Sequence, residues 1–134
     1  VKILPDLATI LAEPRVKAVV IASPHQMHAD QVIAAARAGK HVFVEKPFTM
    51  TKASAEAAVA ACRDAGVVMA LGHNRRFLPA VAEMKKLMAA GALGTLLHVE
   101  GQFSGPGALS YQPGMWRADR HESPLGAWAA WAFI

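Results

Sequence analysis

The residues of this chain best placed for chemistry are Glu45-Lys46-Pro47. They close a short apolar run, His41-Val42-Phe43-Val44, that reads as a strand and follows another apolar run, Val16 to Ser23, by one helix length. A lysine there stands at the carboxyl edge of a parallel strand, where open α/β sheets bind ligands and do chemistry. Pro47 stops a simple continuation of the ladder and biases Lys46 toward extended backbone. In that context the triplet is a candidate active site; alone it would mean nothing. His25 and His28 stand at i, i+3 spacing, but they make too small a ligand set for a metal, and none is expected. The one cysteine, Cys62, falls in a helical pattern and reads as a buried structural thiol.

The elements that must hold the triplet are marked by periodicity. Leu7 to Leu11 predicts a short helix ended by Glu13-Pro14. Ala18 to Ala22 is a continuous β-rich run, as in a strand covered on both faces. Gln26 to Ala38 predicts a helix with Gly39 just past its end. After the strand at Val42-Phe43-Val44, Thr51 is a plausible N-cap for a helix to Ala65, closed by Gly66. Val67 to Leu71 is the next strand. The order β-α-β-α-β, with connections long enough for parallel crossovers, predicts half of a doubly wound α/β sheet. Beyond Gly72 the pattern changes. Pro79 opens a helix to Ala90, whose Met and Ala positions read as core packing. Thr95 to Phe103 alternates like a half-buried antiparallel strand. A domain transition is placed near residues 72–78, giving units 1–73 and 74–134.

Composition narrows the function classes. The chain has 134 residues, 54% apolar and 18% charged, enough for one modest domain with a real core. The formal charge of +4 is mild and scattered, with no basic stripe interleaved with aromatics, so nucleic acid is not an expected partner. No apolar run approaches the roughly 18 residues of a membrane span, and the first residues are wrongly ordered for a signal peptide. A soluble protein in a reducing, cytoplasmic setting is expected.

Two features are missing. No Gly-x-Gly-x-x-Gly occurs, although a doubly wound nucleotide-binding unit normally opens with one. The chain also stops at Ile134 with too few strands for a second complete domain, so it reads as a piece from the middle of something larger.

Taken in order, the motifs resemble the Gfo/Idh/MocA family of NAD(P)-dependent oxidoreductases. Glu13 to Pro24 resembles the strand and Ser-Pro turn, here Ser23-Pro24, that lies against the cofactor. His28 matches a family histidine at the head of the next helix. Ala38-Gly39-Lys40-His41-Val42 followed by Glu45-Lys46-Pro47 matches the signature block. Asn74-Arg75-Arg76-Phe77 with Pro79 resembles the start of the second domain, and Trp116-Arg117 with Gly126 resembles the approach to the downstream catalytic segment.

The resemblance implies a Rossmann unit followed by the start of an α/β domain built on a mostly antiparallel sheet. It implies hydride transfer between NAD or NADP and a hydroxyl-bearing carbon of a sugar, cyclitol or related polyol, in a homo-oligomer when full-length. In that scheme Lys46 contacts the reacting oxygen and stabilises alkoxide charge or relays the proton. Glu45 holds Lys46 or the ribose, and Pro47 fixes the turn. Ser23, Pro24, His28, Arg75, Trp116 and Arg117 line the cofactor cleft. The family's downstream acid/base residue has no counterpart, since Ser123 to Ile134 contains no ionisable side chain. Little or no turnover is expected of this polypeptide by itself. The rival reading is a degenerate, non-catalytic binding or assembly module of the same descent.

Overall fold

The structure is a computed structural model, and it describes residues 3–102, 106, 110–119 and 121–122. Three short strands form a parallel sheet in the order β1-β2-β3: β1 is Ala18–Ile21, β2 His41–Val44 and β3 Met69–Leu71. Ile21 pairs with Val44 and Val44 with Leu71, so the three carboxyl ends lie level on one edge. Helix α1, Leu7–Ala12, precedes the sheet and is capped by Asp6, whose carboxylate accepts from the Thr9 N–H at 2.7 Å. Helices α2, His28–Arg37, and α3, Lys52–Asp64, cross between the strands.

The alternation in β1 and β2 sends Val19, Ile21, Val42 and Val44 to one face. There they meet Val32, Ala35 and Ala36 of α2 and Ala58 and Cys62 of α3, and these nine residues are the core. Alanines on the two helices let them approach each other and the sheet closely, which leaves little room for larger side chains. The opposite face is open among the described residues: Val20 is 74% exposed and Phe43 42%. The β-rich run at 18–22 is thus buried on one face here, where cover on both was expected.

Several boundaries differ from expectation for identifiable reasons. The helix expected from Gln26 opens as a 3-10 turn, His25–Met27, before α2 begins. Strand β3 is shorter than Val67–Leu71. The Val67 N–H donates to the Cys62 carbonyl at the end of α3, and the Val68 N–H donates to His41 Nδ1. Gly39 and Gly66 take positive φ, 68° and 64°, just past α2 and α3, as their placement predicted.

After β3 come a 3-10 turn, Asn74–Phe77, and helix α4, Pro79–Ala89. The Met and Ala positions of α4 are not core. None of its residues is buried, and Met84 and Met88 are 55% and 44% exposed. Its main described neighbour is the adjoining turn, so nothing described covers its apolar stripe. Residues 95–102 form no strand, which corrects the expected antiparallel element; Phe103 lies outside the described residues. A strand exists only where a second one receives its N–H and C=O groups, and alternation cannot supply that neighbour. A short 3-10 turn follows at Trp116–Ala118. Among the described residues no helix is long and apolar enough to cross a membrane.

Candidate active site at the carboxyl edge of the sheet

The site is built where the three strands end together. The Glu45 N–H donates to the Ile21 carbonyl at 2.9 Å and the Gly72 N–H to the Val44 carbonyl at 2.8 Å. The ladder therefore extends one residue past β2 and β3, and the three turns that follow the strands leave from a common rim. The first carries Ser23 and Pro24, the second Glu45 and Lys46, the third Arg75. All five are half-buried.

Lys46 leaves the rim next to the cis peptide bond joining it to Pro47. Its ammonium makes no hydrogen bond or ion pair with any described residue. Glu45 turns back on its own turn: its Oε2 accepts the Lys46 N–H at 3.2 Å. Against it lies Gly72, where a Cβ would stand 3.2 Å from the Glu45 carboxyl carbon and from both of its oxygens. The bare backbone of Gly72 thus makes room for that carboxylate. Ser23 Oγ and Gln31 Oε1 are 2.6 Å apart, so the hydroxyl donates into α2 and keeps its lone pairs free.

His28 was expected to line the cleft, and here the structure requires a correction. The ring is fully buried. Its Nδ1 faces the Pro47 carbonyl at 2.8 Å and its Nε2 the Ser23 carbonyl at 2.9 Å. Both nitrogens face backbone carbonyls, and the buried side chain offers no surface to a ligand. As the first residue of α2, it is carried inward beneath the rim.

Trp116 is brought to the site from far along the chain. Its ring meets His25 edge-on, centroids 5.1 Å apart and planes at 87°. The same segment is held by His25 Nδ1, 2.7 Å from the Glu122 carbonyl, and by the Gln26 N–H, which donates to Glu122 Oε2 at 3.3 Å. The Arg117 backbone lies in the same 3-10 turn. His25, which reads in the sequence as a polar turn residue, is therefore the anchor of the downstream segment on the β1–α2 turn. Nothing local signals that role, because its partners lie more than ninety positions away. Gly72 was also missed, although a glycine directly after a strand whose neighbour ends in the triplet is a readable sign of close approach. A concavity of about 360 Å³ lies beside the rim, lined by Gln26, Asp30, Met50, Thr51, Ser54 and His121; neither Glu45 nor Lys46 lines it.

Burial pushes the Cys62 thiol above its ordinary range, in keeping with an inert core position away from the rim.

A rim of parallel strand ends, with a lysine, a carboxylate and a bare glycine backbone converging on it, is the ligand-binding arrangement of an open α/β sheet. The sequence identifies which one. Residues 1–73 match the profile of the Gfo/Idh/MocA group, described as an oxidoreductase family with an NAD-binding Rossmann fold, and the chain belongs to that family. It is 38% identical over 96 residues to scyllo-inositol 2-dehydrogenase (NAD(+)) of Bacillus subtilis, a match covering 72% of this chain and 28% of the relative. A solved structure of levoglucosan dehydrogenase with NADH and levoglucosan is 39% identical, with a TM-score of 0.68 over 70% of this chain and 25% of that one. A solved structure from Desulfitobacterium hafniense, described provisionally as an NADPH-dependent oxidoreductase, superposes with a TM-score of 0.85 at 29% identity, covering 95% of this chain and 37% of that one. The chain thus spans between a quarter and two fifths of the length of these relatives.

Proposed function

We propose that this chain carries the cofactor-facing and substrate-facing rim of an NAD(P)-dependent oxidoreductase acting on a hydroxyl or carbonyl carbon of a sugar, cyclitol or related polyol. The observation that carries this reading is Lys46: a half-buried ammonium at the strand ends of an NAD-binding Rossmann family member, with no described side chain neutralising it. The relatives named for scyllo-inositol and levoglucosan support the substrate class.

The residues present suit the nicotinamide and ribose end of such a cofactor. Glu45 supplies acceptors for ribose hydroxyls, Gly72 leaves space beside it, and the Ser23–Pro24 turn offers a free hydroxyl lone pair. The cofactor, when bound, supplies or accepts the hydride. Lys46 holds the substrate oxygen, stabilising negative charge as the C–H bond breaks or passing the proton on. Arg75 borders the cleft from the third turn. Trp116 borders it from the downstream segment, with Arg117 next in sequence and a candidate for the same cleft. We place the boundary between the nucleotide-binding unit and the second unit at 73/74, and assign the protein to the cytoplasm as a homo-oligomer.

The test is NADH and NADPH titration by fluorescence, followed by turnover assays on a panel of inositols and sugars. Cofactor binding in the micromolar to millimolar range, abolished by competing NAD(P), supports the reading. Absence of binding to a protein containing these residues together with an upstream Gly-rich loop refutes it. The exposed Val20, Phe43, Leu97 and Val99 favour a second reading, an assembly module without turnover. Concentration-dependent oligomerisation without any cofactor binding would select that one.

A further inference from the structure

His28 is the most deeply buried polar residue among those described, and its two contacts span two different turns. Nε2 faces Ser23, on the turn after β1, and Nδ1 faces Pro47, the residue after Lys46. Among the described residues no other hydrogen bond joins segment 22–27 to segment 46–51. The buried ring puts one nitrogen within hydrogen-bond distance of each carbonyl. A carbonyl only accepts, so a contact is a hydrogen bond only while the nitrogen facing it carries a proton: a neutral ring donates to one turn and packs against the other, and an imidazolium donates to both.

We infer that His28 is a positioning residue that ties the cofactor-side turn, Ser23-Pro24, to the substrate-side turn, Lys46-Pro47, and so fixes the distance between bound cofactor and the Lys46 ammonium. The ring itself touches neither ligand. Its place at the head of α2 makes it rigid: the helix packs through Val32, Ala35 and Ala36 into the core, so the brace is referenced to the sheet and not to a loop. The two turns it joins carry opposite duties in the proposed reaction. Misplacement of a reacting group by about 1 Å costs on the order of a hundredfold in rate, which is the scale on which such a tie matters.

The tie is tested first without cofactor, by NMR of the 15N-labelled chain. A His28 ring N–H is expected to exchange with solvent at least about a hundredfold more slowly than those of the exposed His98 and His121. Equal exchange rates overturn the brace. His28→Asn is expected to shift the Ser23 and Lys46 amide resonances together while leaving those of α4 unmoved; movement at one turn alone also overturns it. The kinetic arm rests on the oxidoreductase reading. There, in a protein that carries these residues together with an upstream Gly-rich loop and turns over, His28→Asn should lower kcat by about tenfold or more with KM for cofactor changed less than about threefold. His28→Phe, which fills the site and removes every ring N–H, should lose at least as much; if it matches the wild type, the residue is packing and nothing more. Should these variants fail to fold, the ring exchange measured on the wild type decides alone. Failure of NADH to bind a protein that carries these residues together with an upstream Gly-rich loop sinks the proposed function and leaves the brace standing on the NMR result.

Discussion

A methyl group at Gly72 would press on the Glu45 carboxylate at 3.2 Å, closer than nearly all real contacts of a Cβ. Glu45 is half-buried and its chain is flexible, so it can yield by a few tenths of an ångström. Gly72→Ala is therefore expected to keep the fold and to move the carboxylate, weakening cofactor affinity by about threefold to tenfold with little change in Tm. Unchanged NADH affinity would show that this carboxylate does not serve the ligand. In a protein that carries these residues and turns over, Lys46→Met should remove nearly all turnover at near-constant cofactor affinity, and Lys46→Arg should not restore it, because a forked planar guanidinium does not substitute for a compact ammonium. Lys46 was legible in the sequence because three local signals coincide there: a strand, its end and a proline. The burial of His28 and the anchoring role of His25 were not. The first depends on which way the leading residue of a helix turns, and the second on residues 116 and 122.

At the scale of elements, the crossovers hold because each local signal agrees with the packing. Thr51 caps α3 by accepting the Ser54 N–H at 3.1 Å, and Ser54 Oγ in turn accepts the Thr51 N–H at 3.3 Å. Thr51→Ala should cost about 1 kcal/mol in denaturant unfolding. Val44→Ala, at a fully buried position in the central strand, should cost about 2 kcal/mol through lost burial and the cavity left behind. Thr51 lies at the exposed head of α3 and Val44 inside β2, so the double variant should approach the sum. Cys62 adds a pH signature. Its thiol is raised in the folded state, so its contribution to stability is whole at neutral pH. That contribution is lost as pH climbs past the ordinary value of 9.0 toward the raised one. Alkylation should accordingly be slow at pH 8 and quicken only with unfolding. The parallel crossovers could be read from sequence because their periodicity and end signals are local. The stretch 95–102 could not, since pairing is a property of two segments.

For the whole molecule, the sheet presents an asymmetry. One face is sealed by α2 and α3, and the other shows Val20 and Phe43 among the described residues. Parallel sheets are ordinarily covered on both faces, and bare apolar faces associate. The wild-type chain is expected to self-associate with rising concentration in sedimentation velocity. Val20→Lys combined with Phe43→Lys should lower that tendency without lowering Tm by more than a few degrees. Association that persists unchanged would place the sticky surface elsewhere, with α4 the next candidate. The sealed side holds a built-in reporter of a different kind. Lys40 is 8% exposed and its Nζ donates to the Glu13 carbonyl at 3.1 Å, across the seam between α1 and the head of β2. An acylating reagent that marks the surface lysines within seconds must wait at Lys40 for that seam to part. The mass shift at this one amine is then a clock for how often the folded unit opens.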